Sequence, residues 1–457
     1  MVALNAWMNG EFVGAWQVNR GAHRFSYAPS WLESEKSRPL SLSLPLTRTR
    51  EIKGEVVANY FDNLLPDNER IRERIGRRFK TKALDAFALL EAIGRDCVGA
   101  VQLLPEGATP DGWNQVACEP LTDEQIAAAL RAVPDDPVAR HINEAPPFRI
   151  SLAGAQEKTA FARVNGQWCR PVEATPSTHI FKLALGVIAN TSRVDMFDSV
   201  ENEWLCARII QALGLPIANT EMAMFGGQRV LIVERFDREW MEGGKWIARL
   251  PQEDFCQALG LPPRLKYEDD GGPSAAAGLT LLAGSADAET DRMAFQLAQL
   301  AFWLLAAPDG HAKNFSIFLR QGNVYDMTPL YDVLSVWPYV GRSPGQLHWR
   351  DVRLAMALRS KNTHYALHTI RARHWHDLAM KNGGLPVWEA MQGLVERVAQ
   401  ALDTVEAQLP QGFPARIWKP ISQGMRGQAE RFLAEAADPS RSRTRGLDPW
   451  ITAIGTA

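Results

Sequence analysis

The chain is poor in cysteine and holds none of it in pairs. Five cysteines among 457 residues, Cys97, Cys118, Cys169, Cys206 and Cys256, are odd in number, scattered, and free of any Cys-x-x-Cys. Neither a disulfide framework nor a zinc site is indicated, and a reducing cytoplasm is the expected compartment. Long hydrophobic runs are missing too. The longest, residues 293–307, carries Gln296 and Gln299 and is too short to span a bilayer. It is expected to be a buried helix, and no membrane association is expected. The opening MVALNAWMNGEFVG lacks the charged start and apolar run of a signal peptide. An excess of one charge is also absent: 50 Lys plus Arg stand against 52 Asp plus Glu, a net charge of −2. That excludes holding nucleic acid by bulk charge and leaves only local basic patches. No internal repeat and no G-x-x-x-x-G-K-[ST] phosphate loop occurs.

What is present is the balance of an ordinary globular protein, 46% hydrophobic and 22% charged. Its length suggests about three domains or lobes. Tryptophan is plentiful, 15 against 7 tyrosines, which by itself indicates packing and not a function. Residues 1–50 alternate apolar and polar around Asn9-Gly10 and Arg20-Gly21, predicting short hairpins. Residues 51–135 have helical periodicity, broken by a Gly-rich stretch at 94–114. Residues 148–260 read mostly as strands, with one helix from 200 to 213 stopped by Gly214-Leu215-Pro216. Residues 290–435 read as helical, while 265–288 and the Arg-containing tail after Asp438 read as loops, the tail flexible.

The densest chemistry is Pro308-Asp309-Gly310-His311-Ala312-Lys313-Asn314, at the end of the long apolar helix. A loop that only ends a helix needs a cap and a turn; it does not need Asp, His, Lys and Asn together. Asp309 and Asn314 are five apart, the Asp-to-Asn spacing of a protein-kinase catalytic loop, in which the Asp takes the proton of the attacking hydroxyl and the Asn binds a metal ion. A second metal ligand should follow on a strand–loop boundary. Tyr331-Asp332, after a short hairpin and 18 residues past Asn314, supplies one. Magnesium accepts hard oxygens and keeps waters and phosphate oxygens, so one Asp and one Asn suffice. Taken alone, Asp332 reads more readily as a helix N-cap for Val333-Leu334; Asp309 and Asn314 reverse that preference.

A phosphate-contacting lysine is also required. Lys182 interrupts the apolar strand His179-Ile180-Phe181-Lys182-Leu183, and a buried ammonium needs a partner, either nucleotide phosphate or a carboxylate such as Glu201 or Glu203. A snorkelling lysine on an edge strand is the alternative. About 25 residues earlier, Ile150-Ser151-Leu152-Ala153-Gly154-Ala155-Gln156-Glu157-Lys158 has small residues through which backbone N–H groups can approach an anion; an ordinary hairpin turn would look the same. Leu231-Ile232-Val233-Glu234-Arg235-Phe236 runs from an apolar strand into a polar link, where a two-lobed kinase offers backbone to adenine. Loop, strand lysine, helix acid, hinge, catalytic Asp, metal Asn and metal Asp follow one another in the order of a protein kinase. The predicted class is α+β: a two-lobed protein-kinase-like fold with a β-rich N-lobe, an extra N-terminal subdomain and an all-helical C-lobe, divided as 1–110, 111–237 and 238–437, with a tail at 438–457.

These segments resemble a known family. ISLAGAQEKTA, THIFKL, VERFD, LPQEDFCQALG, DGHAKN and YD are similar to HipA, the serine/threonine-kinase toxins of bacterial HipBA toxin–antitoxin systems; PLSLSLPL, FDNLLPD and IGRDCVGAV resemble the HipA N-terminal region. The resemblance implies ATP and Mg²⁺ as cofactors, Asp309 as catalytic base, and Asn314 and Asp332 as metal ligands. It implies Lys182 on the phosphates, Ala153, Gly154, Ala155, Gln156, Glu157 and Lys158 as the nucleotide loop, and Glu234, Arg235 and Phe236 as the adenine hinge. His311, Ala312 and Lys313 would complete the catalytic loop, Tyr331 would flank the nucleotide, and Ser151 would be an inactivating autophosphorylation site. It further implies an aminoacyl-tRNA synthetase as protein substrate (glutamyl-tRNA synthetase), a HipB-like helix-turn-helix antitoxin, and operator DNA reached through that partner. Two departures stand out: Pro308 before the catalytic Asp, which restricts Ala307, and divergent C-terminal helices, in which Lys381 is the nearest candidate for touching DNA. His374 and His376 lack companions for a metal site and read as surface or core residues. The competing readings are a co-repressor with a vestigial kinase and a small-molecule kinase.

Overall fold

The computed structural model describes residues 2–47, 49, 51–133, 152, 156–188 and 194–437. These form two compact units that interleave along the chain. The first comprises Met1–Leu183, Ala223–Lys266 and Ser316–Thr328; the second comprises Ala184–Met222, Tyr267–Phe315 and Pro329–Ala457.

In the first unit, the predicted hairpins form. Asn9 and Gly10 have φ of 47° and 81°, and Arg20 and Gly21 have 50° and 80°. Left-handed backbone at both central positions is the turn that matches strand twist, and it joins Val2–Met8, Glu11–Asn19 and Ala22–Tyr27 into an antiparallel meander. Val101–Pro105 and Glu51–Lys53 complete five strands. The helices Glu55–Asp62 and Ala86–Ile93 cover one face, where Trp16 stacks on Phe61 with centroids 4.0 Å apart. This N-terminal sheet is tied to the rest of its unit by polar contacts. Asn59 and Asn63 each donate at 2.8 Å to the carbonyls of Gly260 and Leu261, and Lys266 pairs with Asp67 at 2.8 Å.

A second sheet of six strands runs in the order Thr220–Phe225, Gln228–Glu234, His179–Leu183, Lys158–Val164, Gln167–Pro171, Cys118–Pro120. Lys182 therefore sits in a central strand, not on an edge. The helix Asp123–Arg131, started by a Thr122/Gln125 capping box, lays Ile126 and Leu130 against Phe161, Phe181, Val230 and Ile232.

The second unit is built on the helix Ala288–Leu305, whose apolar run is buried as predicted. The helices Ala275–Leu282, Leu385–Glu396 and Ala415–Ala437 pack around it. Several of the tryptophans find their use here. Trp303, Trp337 and Trp375 are fully buried, and the Trp303 and Trp337 indoles donate to the carbonyls of Leu367 and Leu304 at 3.2 and 3.0 Å. Each ring adds apolar area, and in Trp303 and Trp337 the one polar atom is satisfied as well.

Three expectations are corrected. The C-terminal half is not all-helical: Arg353–Arg359 pairs with Thr363–Ala366 inside the helical unit. Residues 265–288 are not merely a loop, because Ser274 caps a run of helix formers and Ala275–Leu282 becomes a helix. The chain is also not cut where expected. The helix Ser199–Ala212 groups with the helical unit, while 238–266 and 316–328 group with the sheets.

Candidate active site

In the helical unit, the site begins where the long helix stops. Ala306 takes a left-handed φ of 47°, and the Ala307 N–H returns to the Phe302 carbonyl at 2.8 Å. Pro308 follows, unable to continue a helix. The chain then turns under itself. The Asp309 carbonyl accepts both the His311 N–H at 2.8 Å and the Asn314 Nδ2 at 2.7 Å, and a 3₁₀ turn over Ala312–Asn314 closes the loop. Gly310 is required by space: a Cβ there would lie 2.5 Å from the buried Phe302 ring. Donation by Asn314 Nδ2 decides which end of that amide remains for another partner. It is the oxygen, the hard donor a cation prefers.

Burial separates the loop's side chains by role. His311, Lys313 and Asn314 are buried, whereas the Asp309 side chain is 51% exposed. Its carboxylate lies 3.7 Å from His311 Nε2 and accepts a hydrogen bond from the Tyr267 hydroxyl. Tyr267 also stands edge-on to the His311 ring, 4.9 Å between centroids. Sequence reading missed Tyr267: it sits in an acidic loop 42 residues upstream, with no motif around it.

Asp332 is held from both sides. Before it, Leu330 donates to the Pro216 carbonyl at 2.9 Å and accepts from Ala218 at 2.8 Å. After it, the Ser335 hydroxyl donates to the Leu305 carbonyl at 2.6 Å and Asn202 brackets the Ser335 backbone. The Val336 N–H reaches the Ala306 carbonyl at 2.9 Å. Thus the Asp309 loop and the Asp332 segment both hang from the end of one helix, and Tyr331 adds a direct tie, its hydroxyl donating to the Lys313 carbonyl at 2.8 Å. Asp332 itself has φ of 61°, unusual for a non-glycine residue and a recurrent feature of functional positions. It is not a helix N-cap; the next helical turn starts at Trp337.

In the sheet unit, Lys182 is 6% exposed and lies opposite Leu231 on one side and Lys158 on the other. Glu157 is fixed twice, its carbonyl accepting the Leu183 N–H at 3.2 Å and its carboxylate pairing with Arg74. Gln156 Nε2 donates to the Leu183 carbonyl. Ser151, Ala153, Gly154 and Ala155 lie outside the described residues, as does the tail from 438. Arg235 departs from the expected hinge role. Its N–H goes to the Thr178 carbonyl at 2.9 Å and its guanidinium is buried among Asp237, Ser177 and Cys97. By strand alternation, the backbone groups of Glu234 point away from the strand His179–Leu183. Glu201 and Glu203, the alternative partners for Lys182, are buried on Ser199–Ala212 in the helical unit.

Among the described residues, no group of three His, Cys, Asp or Glu side chains could hold a metal ion, and no helix is long and apolar enough to cross a membrane. An Asn–Asp pair completed by phosphate and water would not need such a group. His374 is a core histidine, stacked on His364 at 3.9 Å and pushed down to about 3 by burial and by the neighbouring His364 and arginines. His376 packs edge-on against Trp388.

Comparison with known proteins was informative over most of the chain. Residues 4–104 match the HipA N-terminal domain, and residues 150–408 match the HipA-like C-terminal domain. A Sinorhizobium fredii protein named "Putative kinase Y4mE" is 34% identical over 414 residues, covering 88% of this chain and 91% of that protein. The serine/threonine-protein kinase toxin HipA of Shewanella oneidensis is 30% identical over 330 residues, covering 68% and 70%. A solved HipA chain from the Shewanella oneidensis complex of HipA, HipB and operator DNA superposes with a TM-score of 0.76 at 24% identity, covering 94% of this chain and 97% of that one. The last match bears on the fold.

Proposed function

Because the chain belongs to the HipA family, we propose that it is an ATP-dependent protein serine/threonine kinase and the toxin of a toxin–antitoxin pair. The observation that carries this reading is the closed Asp309–Asn314 loop. One backbone carbonyl binds both His311 and Asn314, so the base and the metal-facing amide keep a constant separation while the carboxylate stays open to a substrate.

In this reading, the Asp309 carboxylate accepts the proton of an incoming serine or threonine hydroxyl as that oxygen bonds to the γ-phosphorus of ATP and the bond from that phosphorus to the β,γ-bridging oxygen breaks, releasing ADP. Asn314 through its side-chain oxygen and Asp332 through its carboxylate hold Mg²⁺, which neutralises phosphate charge when bound. Lys182 contacts the phosphates, the backbone of Glu234 and Phe236 meets adenine, and residues 153–158 cover the nucleotide. His311 and Lys313, buried beneath the loop, keep it in shape, and Tyr331 braces Asp332 against it. Autophosphorylation of Ser151 would put nearly two negative charges where a triphosphate belongs and so exclude nucleotide.

The proposed protein substrate is an aminoacyl-tRNA synthetase, glutamyl-tRNA synthetase first, whose modification would starve translation. A HipB-like helix-turn-helix antitoxin is the proposed partner, through which the chain reaches operator DNA; the solved relative was crystallised with HipB and operator DNA. The test is transfer of labelled γ-phosphate to purified glutamyl-tRNA synthetase. Transfer by wild type and its loss in Asp309→Gln are expected; undiminished transfer by that variant would sink the assignment of the base.

A further inference from the structure

Where the strand Gln228–Glu234 ends, the chain enters a buried charge cluster that phosphoryl transfer does not use. Three guanidiniums, of Arg235, Arg238 and Arg249, face the carboxylates of Asp96 and Asp237, and none of the five side chains is more than 6% exposed. Asp96 Oδ2 accepts from the Ser177 N–H at 3.0 Å and its hydroxyl at 2.6 Å, and Asp96 Oδ1 pairs with Arg238 at 3.0 Å and Arg249 at 3.4 Å. Arg235 forks onto both Asp237 oxygens at 3.0 and 2.8 Å and reaches the Ser177 hydroxyl at 2.9 Å. Asp237 also accepts the Gly99 N–H at 2.7 Å. Carbonyls of Cys97, Gly99 and Ala174 take further arginine donors at 2.8 to 2.9 Å.

Burial raises both carboxyls, but the arginines outweigh it: Asp96 is held below the usual carboxylate range and Asp237 falls to about 2. Both stay ionised. Such a cluster is a poor device for stability alone, because apolar side chains of similar volume would serve as well. Bidentate charge pairs are better at fixing directions. Here they tie the side chains of Arg235, Asp237 and Arg238 to residues 96–99, a segment between the helix Ala86–Ile93 and the strand Val101–Pro105.

We propose that Asp96 is a positioning residue for nucleotide recognition: through Ser177, Arg235 and Arg238 it sets where the Glu234–Phe236 backbone lies, and thereby how tightly and how selectively adenine is held. This rests on the kinase reading above, in which that backbone meets adenine. The N-terminal region would then be part of the nucleotide site's specificity and not an appended subdomain.

The experiment uses the full chain, with ATP and GTP each titrated by calorimetry, KM and kcat measured for phosphate transfer, and melting followed in parallel. Asp96→Asn is expected to raise the ATP dissociation constant roughly tenfold and to narrow the preference for ATP over GTP, with kcat at saturating ATP within about threefold of wild type. Ser177→Ala keeps the backbone N–H bond to Asp96 but removes the hydroxyl, which donates to Asp96 and accepts from Arg235; it unpairs no charge and should move both quantities the same way by about threefold. It decides the matter if Asp96→Asn fails to fold. Variants that melt earlier yet bind ATP and GTP as wild type does would overturn the inference and leave the kinase reading intact. Wild type that binds neither nucleotide would overturn the kinase reading, and this inference with it.

Discussion

The hydroxyl of Tyr267 donates to the carboxylate of Asp309, while its ring stands edge-on to His311. The two acidic-loop and catalytic-loop residues are 42 positions apart, and the contact gives the exposed Asp309 carboxylate a fixed direction that its own loop does not supply. A hydrogen bond to a charged acceptor contributes about 1.5–3 kcal/mol. Tyr267→Phe keeps the ring against His311 and removes only that bond. It is expected to lower kcat for phosphate transfer by about tenfold and leave ATP affinity unchanged, as single-turnover kinetics and calorimetry would show. Unchanged kcat would mean that the tyrosine only packs.

Asp332 separates stability from activity. Its φ of 61° disfavours any residue but glycine. Asp332→Gly should therefore melt within a few degrees of wild type while transfer falls by about a thousandfold, since the carboxylate proposed for magnesium is gone. Asp332→Val combines the same loss with a β-branched side chain in the wrong backbone region and should melt clearly lower than the glycine variant.

Gly310→Ala tests the loop's shape without touching a polar group. The new methyl would overlap the Phe302 ring, which is packed in the core. An overpacking cost of about 1–3 kcal/mol is expected in denaturant unfolding, together with weakened transfer, because the turn joining Asp309 to Asn314 has to open. A neutral outcome would show that the ring yields easily.

Glu253 predicts how stability depends on pH. It is fully buried in the strand Gln252–Asp254 and accepts the Leu42 N–H at 2.8 Å, yet burial raises its carboxyl to about 8. In the unfolded chain it ionises near its ordinary value of 4.5. Between those values the folded protein holds the extra proton, so this group's stabilising contribution is greatest at low pH and declines as pH rises from about 4.5 to about 8. Glu253→Gln should flatten that decline, and the variant should gain on wild type most above pH 8 in melts across the range. A parallel offset at every pH would contradict a protonated Glu253.

Buried His374 acts in the opposite direction. Held down to about 3, it stays neutral where the unfolded histidine, with an ordinary value of 6.5, takes up a proton. Stability from this group is present above about 6.5 and is lost as pH falls towards about 3. His374→Gln should remove that acid sensitivity and shift the melting maximum to lower pH.

Much was legible in the sequence where chemistry is local. Asn9-Gly10 and Arg20-Gly21 announce their hairpins because left-handed backbone is a property of a dipeptide. The helix expected at 200–213 appears as Ser199–Ala212 because Gly214 and Pro216 stop it within a turn. The Asp309–Asn314 loop could be read because its five-residue spacing is itself the geometry that lets the Asp309 carbonyl accept from the Asn314 side chain. Only the tertiary structure decided the rest. Arg235 carried the same polar look as its neighbours in a proposed hinge, but residues 96–99 draw it into a buried cluster. Nothing near Tyr267 in the chain marks it as a partner of Asp309, and Glu253 looks like any strand-end glutamate until the 40–44 segment covers it. Backbone turns and helix stops are settled by the few residues they contain. The direction and ionisation of a polar side chain are settled by what lies around it, and that environment is assembled from parts of the chain that meet only on folding.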